Sequence, residues 1–106
     1  MVDLERKSKY KCSIEYTLSF MGGKWKPIIL WHLGTEGIHR YGELKRKLEG
    51  ITYKMLSQQL KELAEDNLIV RNEYPQVPPK VEYSITEKGR GLMEILNLMH
   101  RWGQEN

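Results

Sequence analysis

The 106-residue chain lacks several features that whole classes of proteins require. It has one cysteine, so it cannot close an intrachain disulfide or hold zinc or an iron–sulfur cluster through several thiolates. Its longest aliphatic and aromatic run covers only residues 28–31, and no apolar segment of signal-peptide type follows the basic residues 1–11. The sequence therefore predicts a cytoplasmic protein in a reducing compartment, without a transmembrane helix or a secretion signal.

Acidic residues are scarce in the middle of the chain. Residues 1–39, 40–62 and 63–106 carry net charges of +2, +3 and −2, and the whole chain carries +3. The short central segment holds as much surplus positive charge as the whole protein, which indicates a local surface for a polyanion such as nucleic acid. An ordinary solvated helical face is the alternative interpretation.

The chain has neither repeats nor a flexible linker, so we predict one domain over residues 1–106, with residues 1–9 frayed. Apolar periodicity and capping residues predict helices over 12–21, 24–33, 42–48 and 52–66, a short strand at 38–39, strands over 68–74 and 80–85, and a last helix over 86–102. Gly34 and Gly37 are expected to end the second helix, and Thr52 and Thr86 to cap the fourth and the last. The predicted fold class is mainly α with a small β-hairpin (α+β). The order is typical of a winged helix-turn-helix, with the helix-turn-helix at 42–66 and the wing at 68–86.

Four motifs are more specific than this order of elements. They are Gly22-Gly23-Lys24-Trp25, Arg40-Tyr41-Gly42-Glu43-Leu44, Ile51-Thr52-Tyr53-Lys54-Met55-Leu56 and Val77-Pro78-Pro79-Lys80-Val81-Glu82-Tyr83-Ser84-Ile85-Thr86-Glu87-Lys88-Gly89. Through these motifs residues 12–102 resemble the HxlR family of bacterial winged-helix transcription regulators, which implies a homodimer that binds double-stranded DNA. Three residues depart from the family pattern: Tyr41 stands where Phe is usual, Gly42 where Ser or Thr often caps the third helix, and Asn67 where Gly usually ends the fourth. Gly also serves at an N-cap and Asn at a helix end, so these departures leave the predicted fold unchanged.

The fourth helix carries the surface that we predict reads bases. Leu56, Leu60 and Leu63 repeat at the spacing of one buried stripe, and polar side chains lie opposite or at the margin of that stripe. The predicted DNA-contacting residues of this segment are Thr52, Tyr53, Lys54, Ser57, Gln58 and Lys61. Amides, hydroxyls and amines suit base edges and phosphates, and Gln58 can bond adenine through two hydrogen bonds. A solvated face without a ligand is the alternative.

Further cations are predicted to hold the DNA backbone. Lys45 on the third helix, with its neighbours Arg46 and Lys47, is expected to contact phosphates. On the wing the predicted contacts are Arg71, Gln76 and Lys80. The prolines between the two strands reduce the entropy of the loop, although they also protect a sheet edge without any ligand.

The last helix carries a wider apolar stripe than a small core needs, about 160° of its circumference. We therefore expect a second copy of the chain to cover the excess, in a homodimer joined through segments 10–21 and 87–103. The predicted interface residues are Ile14, Leu18, Leu92, Ile95, Leu96, Met99 and Trp102. The alternative is that these side chains all fill the chain's own core.

The single cysteine, Cys12, is a candidate redox sensor. Lys9 and Lys11 lie near it in sequence, and nearby cations stabilise a reactive thiolate. Some members of the family that the chain resembles sense oxidants or electrophiles through an N-terminal cysteine, so a small-molecule or oxidant effector is part of the hypothesis. A small buried hydrophobic residue is the alternative role for Cys12.

Catalytic chemistry finds no motif. His32, His39 and His100 do not have the spacing of a metal site, and the sequence contains no nucleophile elbow or phosphate-binding glycine loop. We therefore predict no catalytic residues, no metal and no cofactor. The predicted function is a transcription regulator, a repressor rather than an activator, that binds a pseudo-palindromic operator. A winged helix that binds a protein partner through the same surface, or an enzyme whose site forms only in three dimensions, are the alternatives.

Overall fold

Helices make up most of the structure, a computed structural model that describes residues 4–106. In chain order the elements are α1 (Leu4–Ser8), α2 (Ser13–Met21), α3 (Trp25–Glu36), β1 (His39–Arg40), α4 (Tyr41–Lys47), α5 (Tyr53–Glu65), β2 (Ile69–Tyr74), β3 (Lys80–Ile85), α6 (Glu87–Arg90) and α7 (Met93–Glu105). Helices α4 and α5 with the β2–β3 hairpin form the predicted winged helix-turn-helix, and the mainly helical fold class is confirmed.

The wing is part of a three-stranded antiparallel sheet in the order β1–β3–β2. The short strand expected near residue 39 exists and pairs His39 with Tyr83 on β3. In the hairpin itself Ile69 pairs with Ile85 and Tyr74 with Lys80. Because β1 leads directly into α4, this pairing ties the wing to the start of the helix-turn-helix.

The core forms around α3, which packs against α5, α7 and β3. Its Ile29, Leu30 and Leu33 side chains are at most 1% exposed. The predicted leucine stripe of α5 is confirmed, since Leu56, Leu60 and Leu63 are at most 2% exposed. Burying one such side chain stabilises the fold by about 1.5 to 3 kcal/mol, so this stripe fixes which face of α5 remains in solvent.

The N-terminal segment is more ordered than the sequence indicated. Residues 4–8 form α1, where fraying was predicted, and residues 1–3 of that prediction lie outside the described residues. Arg6 holds the helix: its guanidinium bonds Asp66 Oδ1 at 2.6 Å, contacts Ser19 and lies 3.8 Å from the centroid of the Phe20 ring. These partners are distant in sequence, so no local pattern revealed them.

Two helix boundaries differ from the prediction, and a closely packed glycine lies near each. The second helix continues through Gly34 to Glu36, and Gly37 is its C-cap. Gly34 packs against Met93, whose Sδ would lie 2.2 Å from an added Cβ. The last helix is not continuous: α6 and α7 are separated at residues 91–92, where two successive backbone bonds reach back three residues instead of four. Gly89, just before this break, packs against the Leu68 carbonyl, 2.2 Å from where its Cβ would be.

Candidate nucleic-acid interface

Helix α5 begins at the residue that the sequence indicated. Thr52 is the N-cap, and its Oγ1 accepts a hydrogen bond from the backbone N–H of Met55 at 3.0 Å. The hydroxyl hydrogen of Thr52 is not used in that bond, so it can still be donated. A helix N-terminus also attracts anions through its unpaired N–H groups and its dipole. This end of α5 is therefore suited to a phosphate.

The face of α5 opposite the leucine stripe is exposed along its length. The predicted contacts Lys54, Gln58 and Lys61 lie together on this face, and the predicted contacts Tyr53 and Ser57 are exposed at the margin of the stripe, on the side toward α4. This arrangement follows from helical geometry, because the leucines are directed into the core. Of the described charged residues on α5, Lys54 and Lys61 are fully on this side, together with Glu65 near the C-terminal end.

Gln58 makes a hydrogen bond along the helix that leaves most of its amide available. Its Nε2 donates to Glu62 Oε2 at 3.2 Å, and Glu62 Oε1 lies 2.7 Å from Lys26 Nζ. Hydrogen bonds from Lys26 and then from Gln58 lower the pKa of the Glu62 carboxyl. One N–H and the carbonyl oxygen of Gln58 remain, which are the two groups that bonding to adenine N7 and N6 requires.

An aromatic stack joins α4 to α5 and includes a residue that sequence reasoning missed. The rings of Tyr41 and Tyr53 are nearly parallel at 6.2 Å between centroids, and Lys45 Nζ lies 4.6 Å from the centroid of the Tyr53 ring. The Tyr41 hydroxyl donates to the Tyr53 carbonyl at 2.9 Å and lies 3.0 Å from Ser57 Oγ. The only sequence signal was that Tyr41 departs from the Phe usual in the family. Lys45, predicted as a phosphate contact, is half-buried against this stack.

The other cations of α4 differ in their surroundings. Arg46 is exposed, whereas Lys47 Nζ lies 2.8 Å from His39 Nε2 and 3.1 Å from Glu36 Oε1. Hydrogen bonds from His32 and then from Lys47 lower the pKa of Glu36 to about 2. Lys47 is thus held in an ion cluster, and its charge is less available to a phosphate than that of Arg46.

The wing supplies one cation beside α5 and two predicted contacts near its tip. A groove of about 620 Å3, here called the α5–wing groove, is lined by Tyr41, Ser57, Leu60, Lys61, Ala64, Glu65, Arg71 and Tyr83. Arg71 Nη1 lies 3.0 Å from Glu73 Oε2, and hydrogen bonds with Glu73 and then Tyr83 raise the pKa of the Arg71 guanidinium. Gln76 is exposed in the loop beyond the last strand pair, and Lys80 Nζ lies 3.4 Å from Glu82 Oε2. The structure therefore brings Arg71 close to α5 but leaves Gln76 and Lys80 at the far end of the hairpin.

A second surface, formed by α2 and α7, is apolar. Its exposed side chains, here called the α2–α7 apolar surface, are Ile14, Leu18, Ile95, Leu98, Met99 and Trp102. A groove of about 390 Å3 runs through it beside Gly22, Gly23 and Pro27. Leu96 is only 4% exposed and packs in the chain's own core, so its prediction as an interface residue is wrong, and Leu92 is half-buried against the same core. Helical geometry had grouped these leucines correctly on one stripe but could not say which edge of the stripe the core covers.

Cys12 is an exposed free thiol. It is the N-cap residue of α2, where its side chain makes no capping hydrogen bond. The next two residues, Ser13 and Ile14, line the apolar groove described above. The predicted sensor is therefore accessible and adjoins the α2–α7 apolar surface, and the alternative of a buried structural cysteine is wrong.

The histidines have structural partners. His39 is buried, with Nδ1 2.7 Å from the Gly37 carbonyl, and the His100 ring stacks on Trp31 with 4.6 Å between centroids. Among residues 4–106 no cluster of three histidine, cysteine or carboxylate side chains is arranged to hold a metal ion. Over the same residues, no helix combines the length and the apolar character needed to cross a membrane.

Comparisons with known proteins agree with this geometry. Residues 20–106 match the family model of the HxlR-like helix-turn-helix. The chain is 91% identical over its whole length, and over the whole length of the relative, to a protein of Fusobacterium mortiferum described as a regulatory protein, MalR. It is 55% identical over 86% of its length to the HTH-type transcriptional regulator BH0655 of Halalkalibacterium halodurans, of which it covers 80%.

A solved structure extends the agreement to three dimensions. The redox regulator HypR in its oxidized form superimposes with a TM-score of 0.85 and 47% identity, over 90% of this chain and 97% of that one. These relatives are transcriptional regulators and not enzymes. The chain is a member of the HxlR-like helix-turn-helix family of DNA-binding transcription regulators.

Proposed function

We propose that this regulator is a repressor that binds a pseudo-palindromic operator as a homodimer, with α5 in the major groove and the wing along the DNA backbone. The observation that carries the proposal is the exposed polar face of α5, which starts at a capped N-terminus and adjoins the α5–wing groove. Gln58 and Ser57 are suited to base edges, and Lys54 and Lys61 to phosphates.

The α2–α7 apolar surface supports the homodimer. Six large apolar side chains that are 41 to 69% exposed cluster on two helices, and soluble proteins rarely leave such a patch uncovered. A second copy offers the same surface, as a two-fold interface requires. Two α5 helices related by that symmetry would contact half-sites about 34 to 36 Å apart, or a multiple of that distance. Wing contacts by Arg71, Gln76 and Lys80 would position each subunit without reading sequence.

Repression would follow from occupancy. A dimer that covers two successive half-sites excludes other proteins from the same stretch of promoter DNA, and the cytoplasm is the compartment that this function predicts. The decisive experiment selects bound fragments from sheared genomic DNA and tests them by gel shift at several salt concentrations. We expect an enriched inverted repeat bound about 10³-fold or more tighter than unrelated DNA. Equal binding to all fragments, or no binding, contradicts the proposal.

A thiol switch at Cys12 is the regulatory part of the proposal. It is supported by the exposure of Cys12 beside the α2–α7 apolar surface and by the likeness to HypR, which is described as a redox regulator with an oxidized form. Two Cys12 thiols of a dimer can each lose one hydrogen atom to an oxidant such as diamide, which is reduced while one disulfide joins the subunits. A mixed disulfide with a small thiol, or an electrophile adduct, would instead add bulk at the same place.

The switch predicts a difference between two proteins. Diamide should weaken operator binding by the parent severalfold and leave Cys12→Ser unchanged, with dithiothreitol restoring the parent. Gel shifts before and after treatment measure both. Equal loss in the two proteins, or loss in neither, assigns control to another ligand.

A further inference from the structure

The hydrogen bonds between α4 and α5 restrict what one DNA-facing hydroxyl can do. The Tyr41 hydroxyl lies 2.9 Å from the Tyr53 carbonyl oxygen and 3.0 Å from Ser57 Oγ. A carbonyl oxygen only accepts, so the bond to Tyr53 uses the single hydrogen of the Tyr41 hydroxyl. The bond between Tyr41 and Ser57 can then form only if Ser57 donates its own hydrogen to the Tyr41 oxygen.

The carbonyl four residues before Ser57 on its own helix is already engaged. In an α-helix the backbone N–H of Ser57 points at the Tyr53 carbonyl, four residues earlier. With the Tyr41 hydroxyl as its second donor, that carbonyl has both lone pairs engaged. The Tyr41 oxygen, 3.0 Å from Ser57 Oγ, is the acceptor with which the structure pairs the serine hydroxyl.

The Tyr41 ring is held so that this arrangement persists. It is half-buried against the hydrophobic core, and its plane makes an angle of 9° with that of the stacked Tyr53 ring. Lys45 Nζ lies 4.6 Å from the centroid of the Tyr53 ring. Ser57 follows the fully buried Leu56 on α5 and is itself exposed. The donor and the acceptor thus stand on two helices that the core fixes relative to each other.

We infer that Tyr41 makes Ser57 an acceptor-only contact, so that Ser57 favours an amino-bearing base, adenine or cytosine, on the DNA strand that it faces. This inference rests on the proposed function, in which α5 lies in the major groove. The adenine N6 and cytosine N4 amino groups donate there, whereas guanine O6, thymine O4 and the purine N7 atoms only accept. Phosphate oxygens only accept as well, so Ser57 is not a phosphate contact. Tyr41 touches no DNA in this scheme and acts as a positioning residue.

The test uses operator variants in which one base pair at a time is turned over, A·T to T·A or C·G to G·C. Turning a pair over exchanges an amino base for a keto base on the strand facing α5 and keeps the base composition. The position that depends on Ser57 is the one whose preference disappears in Ser57→Ala. At that position we expect the parent to favour the amino base by about three- to tenfold, the range of one neutral hydrogen bond. Fluorescence anisotropy gives each dissociation constant.

Tyr41→Phe is the decisive variant. It frees the Ser57 hydrogen to rotate, so the amino preference should fall to about onefold while affinity for the rest of the operator is kept. In a Ser57→Ala background the same substitution should change nothing at this position, because the two residues act through one bond. Tyr16→Phe on α2 is the matched control for loss of a hydroxyl from a half-buried ring, and thermal unfolding establishes that each variant is folded.

The outcomes are separable. A parent that binds no preferred DNA sequence overturns the proposed function and this inference with it. Sequence-specific binding in which Tyr41→Phe keeps the amino preference, or in which Ser57→Ala alters no position, overturns the inference and leaves the proposed function standing. If Tyr41→Phe does not fold, the parent protein alone still tests the inference. A preference of the parent for a keto base at the Ser57-dependent position contradicts an acceptor-only serine.

Discussion

Helices α5 and α7 have the same length and a similar separation of polar from apolar residues, yet the core buries the apolar face of α5 and leaves most of that of α7 exposed. Each has 13 residues. On α5 the leucine stripe is fully buried, and most of what remains outside is polar. On α7 only Leu96 is buried, while Met99 and Trp102 stay 52% and 69% exposed. An amphipathic pattern therefore shows that a helix has two faces, but burial shows which face is left exposed: the polar face of α5 and the apolar face of α7.

The largest effect that tests this comparison is expected on α7. Met99→Glu would place two carboxylates in the proposed two-fold interface. We expect it to weaken the proposed dimer by about 2 to 6 kcal/mol, from about 1 to 3 kcal/mol per buried unpaired polar group. Sedimentation velocity at micromolar concentration measures the change. Asn97→Glu, an exposed position on the same helix that does not line the groove, is the control. A parent that is already monomeric, or a Met99→Glu protein that still dimerises like the parent, removes the role assigned to this face.

A substitution on the buried face of α5 should lower the free energy of unfolding rather than weaken association between chains. Leu60→Ala removes most of a side chain that is 2% exposed, and the cavity left in the core should lower the free energy of unfolding by about 2 to 5 kcal/mol. Lys61→Ala, its exposed neighbour, should change it by no more than about 0.5 kcal/mol. Urea unfolding at one fixed protein concentration gives both values. Similar losses of stability for the two variants would contradict the sidedness of α5.

Much of this contrast could be predicted from the sequence because it depends on contacts within a few residues. The spacing of Leu56, Leu60 and Leu63 and the capping by Thr52 are local, and both predictions are confirmed. The assignment of Leu96 failed because a helical wheel groups side chains without showing where the rest of the core lies. Helix α1 was not predicted for a similar reason, since Asp66, the partner of Arg6, is 60 residues away.

For the candidate site, the sequence predicted which side chains of α5 are exposed but not how they contact α4. Periodicity alone identified Lys54, Gln58 and Lys61 as exposed on one face of α5, and the structure has them there. What periodicity could not give is how side chains from α4 and α5 meet. The bond between Tyr41 and Ser57 joins residues 16 apart across a turn, and it decides which groups of Ser57 remain for a ligand.

Substitutions at the DNA-binding surface should distinguish residues that contact bases from residues that contact phosphates. Gln58→Ala removes an amide from the polar face, and it should cost about 1 to 3 kcal/mol on the best operator and less on unrelated DNA. Lys45→Ala should weaken binding to all sequences by a similar factor, and it should reduce the slope of the salt dependence by about one unit for each phosphate that is no longer neutralised. Titrations on two DNAs at several salt concentrations distinguish the patterns. If Gln58→Ala binds every sequence as the parent does, Gln58 does not read a base.

The smallest effect on stability is expected away from α5 and α7, where Glu36 at the end of α3 contacts Lys47 of α4. Glu36 accepts hydrogen bonds from His32 and Lys47, which lower the pKa of its carboxyl from an ordinary 4.5 to about 2. A group whose pKa is lowered in the folded state stabilises that state fully above its unfolded pKa, and the contribution is lost as the pH falls through the folded pKa.

Glu36→Gln should therefore unfold at a lower urea concentration than the parent at pH 6, and the urea midpoints of the two proteins should converge between pH 4.5 and pH 2. Because Glu36 is 45% exposed, solvent screening keeps the difference small. Glu49→Gln, which removes an exposed carboxylate without an ion pair among residues 4–106, is the control for the loss of one surface charge. A parent-to-variant difference that stays constant from pH 6 to pH 2 would mean that the carboxylate contributes through packing and not through its charge.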